Sequence, residues 1–182
     1  MALKTFVKAA SITNLTDARY CAGMGVDLLG FPAVETMSDY LKPAAFQEIR
    51  GWVTGPGIVA EAYGIKDATA LSTILEHYRP DYIEFGKAEL SLFSDLPVPL
   101  LLAVDEPASS KDFHVQPAYL ISSEPFQSDI PLLVWVRSMD DARRLVDDKR
   151  VAGIILRGGA ELRPGLKDSE VLNDVLEFLE EL

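Results

Sequence analysis

Five acidic residues stand near the ends of apolar runs in this chain: Glu61, Glu84, Asp105, Glu106 and Glu124. Lys8, Lys87, Arg137 and Arg157 are the basic residues in comparable places. Carboxylates brought together carry out general acid–base chemistry when their surroundings separate their proton affinities. On that reading Glu84 or Asp105 is a base and Glu124 an acid. The more ordinary reading makes most of these acids solvated loop residues. Arg137 and the run Arg157-Gly158-Gly159 suit a different task, because two guanidiniums beside exposed backbone N–H groups hold one anion. The ordinary alternative there is pairing with Asp140, Asp141 or Glu161.

Other chemically capable residues point to nothing further. Cys21 sits beside Ala18 and Ala22 and reads as a small buried hydrophobe rather than a nucleophile. His77 and His114 have no partner at metal-ligand spacing, so neither a metal nor a cofactor is expected. Trp52 and Trp135 read as packing residues.

The elements that must position these residues follow from periodicity. Phe6 to Ile12 is an apolar run. Asn14 or Thr16 caps a helix that carries Asp17 in its first turn and ends at Gly23 and Gly25. Val26 to Phe31 is a second run, which completes a right-handed βαβ unit. The pattern then repeats. A short helix spans Pro43–Ile49, with proline in its first turn, and Gly57–Tyr63 is strand three. A helix over Asp67–Tyr78 places Ala68, Leu71, Leu75 and Tyr78 on one face. Asp81–Phe85 is strand four, and Leu90–Phe93 allows one helical turn. Val98–Val104 is strand five, apolar on both faces and so doubly buried. Ser109–Gln116 is too polar and short for a helix. Ala118–Ser122 is strand six, followed by the irregular EPFQSD stretch. Pro131–Val136 is strand seven, and Ser138 caps a helix running to Asp148. Val151–Leu156 is strand eight, and Asp168–Leu182 is a closing helix.

Eight strands alternating with helices predict an α/β fold, a parallel (β/α)8 TIM barrel in which helices four to six are reduced. The 182 residues form one such domain, 1–182, and are few for it, since these barrels need about 250 residues and rarely fewer than about 200. Reduced helices account for the difference. Strand five then lacks its usual helical cover. A homodimer packed over strands four to six is the expectation, with local cover by Leu90, Leu92, Phe93, Phe113 and Phe126 as the alternative. A net charge of −11 excludes nucleic acid and anionic membrane as partners. One cysteine permits no internal disulfide. No apolar run is long enough to span a membrane, and a cytoplasmic protein is expected.

Two stretches resemble phosphoribosylanthranilate isomerase, a tryptophan-biosynthetic barrel enzyme. Near the N-terminus Lys8, Ile12, Thr13, Asp17, Ala18, Ala22, Gly23, Gly25, Asp27, Gly30 and Phe31 fit the family's opening motif. Near the C-terminus Gly159, Ala160, Glu161, Pro164, Gly165, Lys167 and Asp168 resemble its closing one. The resemblance implies an Amadori rearrangement using a general acid and a general base, together with a grip on a phosphate and a carboxylate. The family's base is a cysteine, and its position holds Ala10, followed by Ser11 in place of glycine. The family's acid is an aspartate, and its position holds Ser122. Asp39 stands where the family has arginine. Glu84-Phe85-Gly86-Lys87 replaces Gln-Leu-His-Gly, and the glycine-rich phosphate loop after strand six is absent. The expectation is an isomerase-like barrel with impaired or lost catalysis that takes a small phosphorylated ligand. A working isomerase or other sugar-phosphate enzyme using Glu84, Asp105 or Glu124 is the alternative.

Overall fold

A computed structural model describes residues 2–157, 161–163, 166–167 and 170–181, with backbone alone for 161–163 and 166–167. Eight parallel strands close on themselves: β1 (Phe6–Ala10), β2 (Leu28–Pro32), β3 (Gly57–Glu61), β4 (Tyr82–Gly86), β5 (Leu100–Ala103), β6 (Tyr119–Ser122), β7 (Leu132–Trp135) and β8 (Gly153–Arg157). Each pairs with the next in sequence, and β8 pairs back onto β1 over five residues, from Phe6 opposite Gly153 to Ala10 opposite Arg157. Closure removes every sheet edge. The expected barrel is therefore present.

Alternation within each strand divides the core in two. Val7, Ala9, Leu29, Phe31, Ile83, Leu100 and Leu102 point outward under the helices. Ala10, Leu28, Val59, Leu101, Ile121, Leu133 and Ile155 point into the barrel. The N-terminal end of the interior is closed by aromatic rings. Phe6 stacks on Tyr119 at 5.3 Å between centroids, and Tyr82 meets Tyr119 edge-on at 6.3 Å. Two aspartates pin strand starts across this end: Asp27 accepts from Val7 N at 2.8 Å and Asp81 from Ile58 N at 2.7 Å.

The helices begin where local chemistry permits. Helix α1 (Leu15–Gly23) is capped by Asn14, whose side chain accepts from Asp17 N; Thr16 lies inside the helix and caps nothing. Helix α2 (Pro43–Arg50) opens on proline. Helix α3 (Ala68–Tyr78) is capped by Asp67, and α5 (Met139–Leu145), shorter than the expected run to Asp148, by Ser138. Helix α6 (Glu170–Glu181) buries Leu172, Val175, Leu176 and Leu179.

The outer ring is thin where expected. Helix α4 is one turn at Lys87–Leu90, starting three residues earlier than the sequence suggests, and the next connection holds only a 3-10 turn at Ser110–Asp112. No helix separates β6 from β7. Loop side chains cover the exposed flank instead. Leu90, Phe93, Ala108, Phe113 and Ile130 are all buried, and Leu100 and Leu102 beneath them are 1% and 0% exposed. Of the residues expected to give local cover, Leu90, Phe93 and Phe113 are buried, Phe126 is half-buried and Leu92 is exposed. An antiparallel hairpin, β9 (Glu161–Arg163) and β10 (Leu166–Lys167), follows β8; nothing in the sequence periodicity marks it. No helix among the described residues is long and apolar enough to cross a membrane.

Candidate functional site

Polar chemistry inside the barrel centres on Lys8, Glu61 and Glu84. These are 0%, 2% and 1% exposed, among aliphatic neighbours. Lys8 Nζ donates to Glu61 Oε1 at 2.8 Å and lies 2.8 Å from Glu84 Oε2. Ser11 N lies 3.1 and 3.2 Å from the two Glu61 oxygens, and the Tyr63 hydroxyl donates to Glu84 Oε1 at 2.6 Å. The inward positions of β1, β3 and β4 bring the three charges together. Gly30 on β2 leaves the space they occupy. A Cβ there would lie 2.1 Å from Glu61 Oε1 and 2.9 Å from Lys8 Nζ. Ser11 holds its N–H toward Glu61 by adopting φ 56°, a left-handed conformation that a non-glycine residue rarely takes.

Burial sets the electrostatics here. Desolvation pulls Lys8 toward its neutral form, but the adjacent Glu61 and Glu84 outweigh it and the ammonium's pKa is raised. Burial raises the Glu84 pKa, aided by repulsion from Glu61 and opposed by Lys8. Burial and the facing Glu84 drive the Tyr63 hydroxyl strongly upward, so it stays protonated. Buried ions without partners cost several kcal/mol each; here each ion has partners.

The C-terminal mouth is a separate place. Ala10, at the end of β1, is 2% exposed and carries no ionisable group. Ser122, at the end of β6, donates its hydroxyl to the Glu124 carbonyl. Asp105, Glu106, Ser122, Glu124 and Phe126 line one cleft of about 200 Å³. Of the carboxylates suggested by sequence as acid and base, Asp105 and Glu124 therefore come together, while Glu84 is sealed in the interior. Glu124 is engaged by Arg137 at 3.1 Å and Arg144 at 3.6 Å. Asp39 is half-buried in the loop after β2.

A second cleft, of about 350 Å³, is lined by Ser123, Trp135, Val136, Arg137, Arg157 and Val171. Both arginines suggested by sequence meet here. Arg137 also pairs with Asp141 at 3.6 Å, as its ordinary alternative anticipates. The Arg157 guanidinium lies over the Trp135 ring, 5.2 Å from its centroid, and among the described residues it has no acidic partner. Gly158 and Gly159, the backbone half of the expected anion grip, lie outside the described residues. Burial raises the Cys21 thiol to about 12, which leaves it inert at neutral pH. No group of metal-ligating side chains occurs among the described residues.

Lys8, Glu61 and Glu84, which the sequence sets near the ends of apolar runs, lie buried inside the barrel, and Tyr63, to which the sequence assigns no role, joins them. The available signal was single charges inside otherwise apolar strands, VKAA, GIVAE and YIEF. Ions on strands buried on both faces must find one another inside.

No protein-family model matches the chain, and no curated protein matches it significantly. Solved structures do match. Phosphoribosyl anthranilate isomerase from Thermus thermophilus is similar at a TM-score of 0.76 and 16% identity, over 97% of this chain and 99% of that one. TrpF from Jonesia denitrificans is similar at 0.76 and 14%, over 97% of each chain. A Thermotoga maritima protein described as phospho-2-dehydro-3-deoxyheptonate aldolase (DAHP synthase) is similar at 0.64 and 15%, over 97% of this chain and 68% of that one. At these identities the likeness establishes the isomerase-like barrel, and barrels of this shape carry more than one chemistry.

Proposed function

We propose that this chain is an isomerase-like barrel that binds a small phosphorylated ligand at its mouth and does not catalyse the isomerases' rearrangement. One observation carries the second half. The positions that resemble the isomerase base and acid hold Ala10, buried and without a proton to exchange, and Ser122, whose hydroxyl is already donated to Glu124. General acid and base each contribute about 10²–10⁴-fold. Glu84 is no substitute base, because it is sealed among Lys8, Glu61 and Tyr63.

The ligand half rests on the cleft holding Arg137 and Arg157. It lies at the ends of β7 and β8, where barrels of this type commonly hold phosphate. Among the described residues Arg157 has no acidic partner there, and its guanidinium is positioned on the Trp135 face. A second reading, an enzyme of substitute carboxylates, draws on Asp105 and Glu124 sharing one cleft.

Complementation of a tryptophan auxotroph lacking the isomerase tests the loss of catalysis; growth without tryptophan overturns it. The ligand is tested by fluorescence in a Trp52→Phe background, which leaves Trp135 as the sole tryptophan. Titration with ribose 5-phosphate is expected to change Trp135 emission saturably, and Arg157→Ala to abolish the change. An unresponsive Trp135 refutes the anion site.

A further inference from the structure

The interior cluster contains one cation and two carboxylates, all buried. With every group ionised it would carry one uncompensated negative charge in an apolar barrel, a state that burial strongly disfavours. Hydrogen-bond geometry decides which oxygen could accept a compensating proton. Both Glu61 oxygens face obligatory donors, the Lys8 ammonium and the Ser11 N–H. Neither donor can accept a proton. Glu84 Oε2 lies 2.8 Å from the Lys8 ammonium without a hydrogen bond to it; a proton placed on that side would face a cation, which disfavours it. Glu84 Oε1 faces the Tyr63 hydroxyl at 2.6 Å. A hydroxyl both donates and accepts.

We infer that the barrel interior is a proton-binding site: Glu84 Oε1 takes up one proton and donates it to the Tyr63 oxygen, reversing the hydrogen bond between them. The step is a protonation alone. A proton from water adds to the carboxylate, and Tyr63 keeps its own proton, turned away from Glu84. The charged groups facing the pair are Lys8 from β1, Glu61 from β3 and Glu89 from α4. β5 contributes only apolar neighbours, with Leu101 in register with Glu84. Tyr63 leads directly into Gly64, whose N–H is held by Glu89.

The inference separates two variants that look alike in sequence. Glutamine mimics a protonated glutamate, so Glu84→Gln keeps both neighbours: its oxygen stays against the Lys8 ammonium and its amide donates to Tyr63. Glu61→Gln turns an NH₂ group toward Lys8 or Ser11 N, donor against donor. Infrared spectra of the wild type at neutral pH are expected to contain a protonated carboxylic acid C=O band that vanishes in Glu84→Gln and shifts in Tyr63→Phe. Glu84→Gln is expected to match the wild-type thermal midpoint, with Glu61→Gln well below it. Selective ¹³C-carboxyl labelling of glutamate reads the same proton in the unmodified protein. Absence of a protonated glutamate at neutral pH overturns the inference, as does a band that persists in Glu84→Gln. Failure of Glu84→Gln to fold overturns it as well.

Discussion

Replacing Lys8 by methionine isolates what holds the barrel interior together. The two side chains have similar length and volume, so little cavity is opened. What is lost is a cation 2.8 Å from Glu61 Oε1 and 2.8 Å from Glu84 Oε2. Removing one partner of a buried ion pair costs about 3–5 kcal/mol, because the other charge remains buried and unpaired. At a urea dependence of about 2 kcal/mol per molar, that moves the denaturation midpoint down by about 2 M. The pH dependence identifies the cause. Burial already raises the Glu84 carboxyl above its ordinary value, and without Lys8 it loses the cation that opposes this rise. Such a group contributes stability that is fully present below the unfolded pKa and is lost as pH rises through the folded one. The deficit relative to wild type is therefore expected to be smallest near pH 5 and to widen toward pH 8. The triple replacement Lys8→Met, Glu61→Met, Glu84→Met removes all three charges and is expected to recover most of the loss. A Lys8→Met deficit below about 1 kcal/mol, or one independent of pH, refutes the electrostatic account of the interior.

Gly30→Ala places a methyl 2.1 Å from Glu61 Oε1; because that oxygen is held by Lys8 and Ser11, the variant is expected to lose about 2–4 kcal/mol in urea denaturation. Arg79 ends α3 at φ 42° with an exposed side chain, so Arg79→Gly is expected to stabilise by up to about 1 kcal/mol, a rise of about 2–4 °C in thermal midpoint. Ala10→Cys restores a thiol at the position resembling the isomerase base and is expected to give no measurable isomerisation in a fluorescence assay, since Ser122 still supplies no acid.

Much of the scaffold was legible because local chemistry and tertiary packing agree. Asn14, Asp67 and Ser138 each precede a periodic apolar face, and each caps its helix. The thin flank was legible in the polar stretch SSKDFHVQ, which folds as one 3-10 turn. Its cover was harder to read, because Ala108 and Ile130 bury themselves from loops that have no periodicity. The hairpin at β9 and β10 is too short for alternation to register. The interior cluster was misplaced for a geometric reason. Sequence gives the parity of Lys8, Glu61 and Glu84 on their strands, but the depth of each in the barrel depends on strand stagger. Parity sends all three inward, and stagger brings them to one level. The meeting of Arg137 and Arg157 was legible from topology alone, because adjacent strands β7 and β8 deliver them to one rim.

Single-turnover kinetics on N-(5'-phosphoribosyl)anthranilate, with the purified protein in excess over substrate, test the central claim most directly. The account predicts that substrate fluorescence decays at the rate seen without protein, even when Trp135 reports that the mouth is occupied. A protein-dependent decay that disappears in Asp105→Asn or Glu124→Gln would contradict it and would make the cleft shared by those two carboxylates an active site.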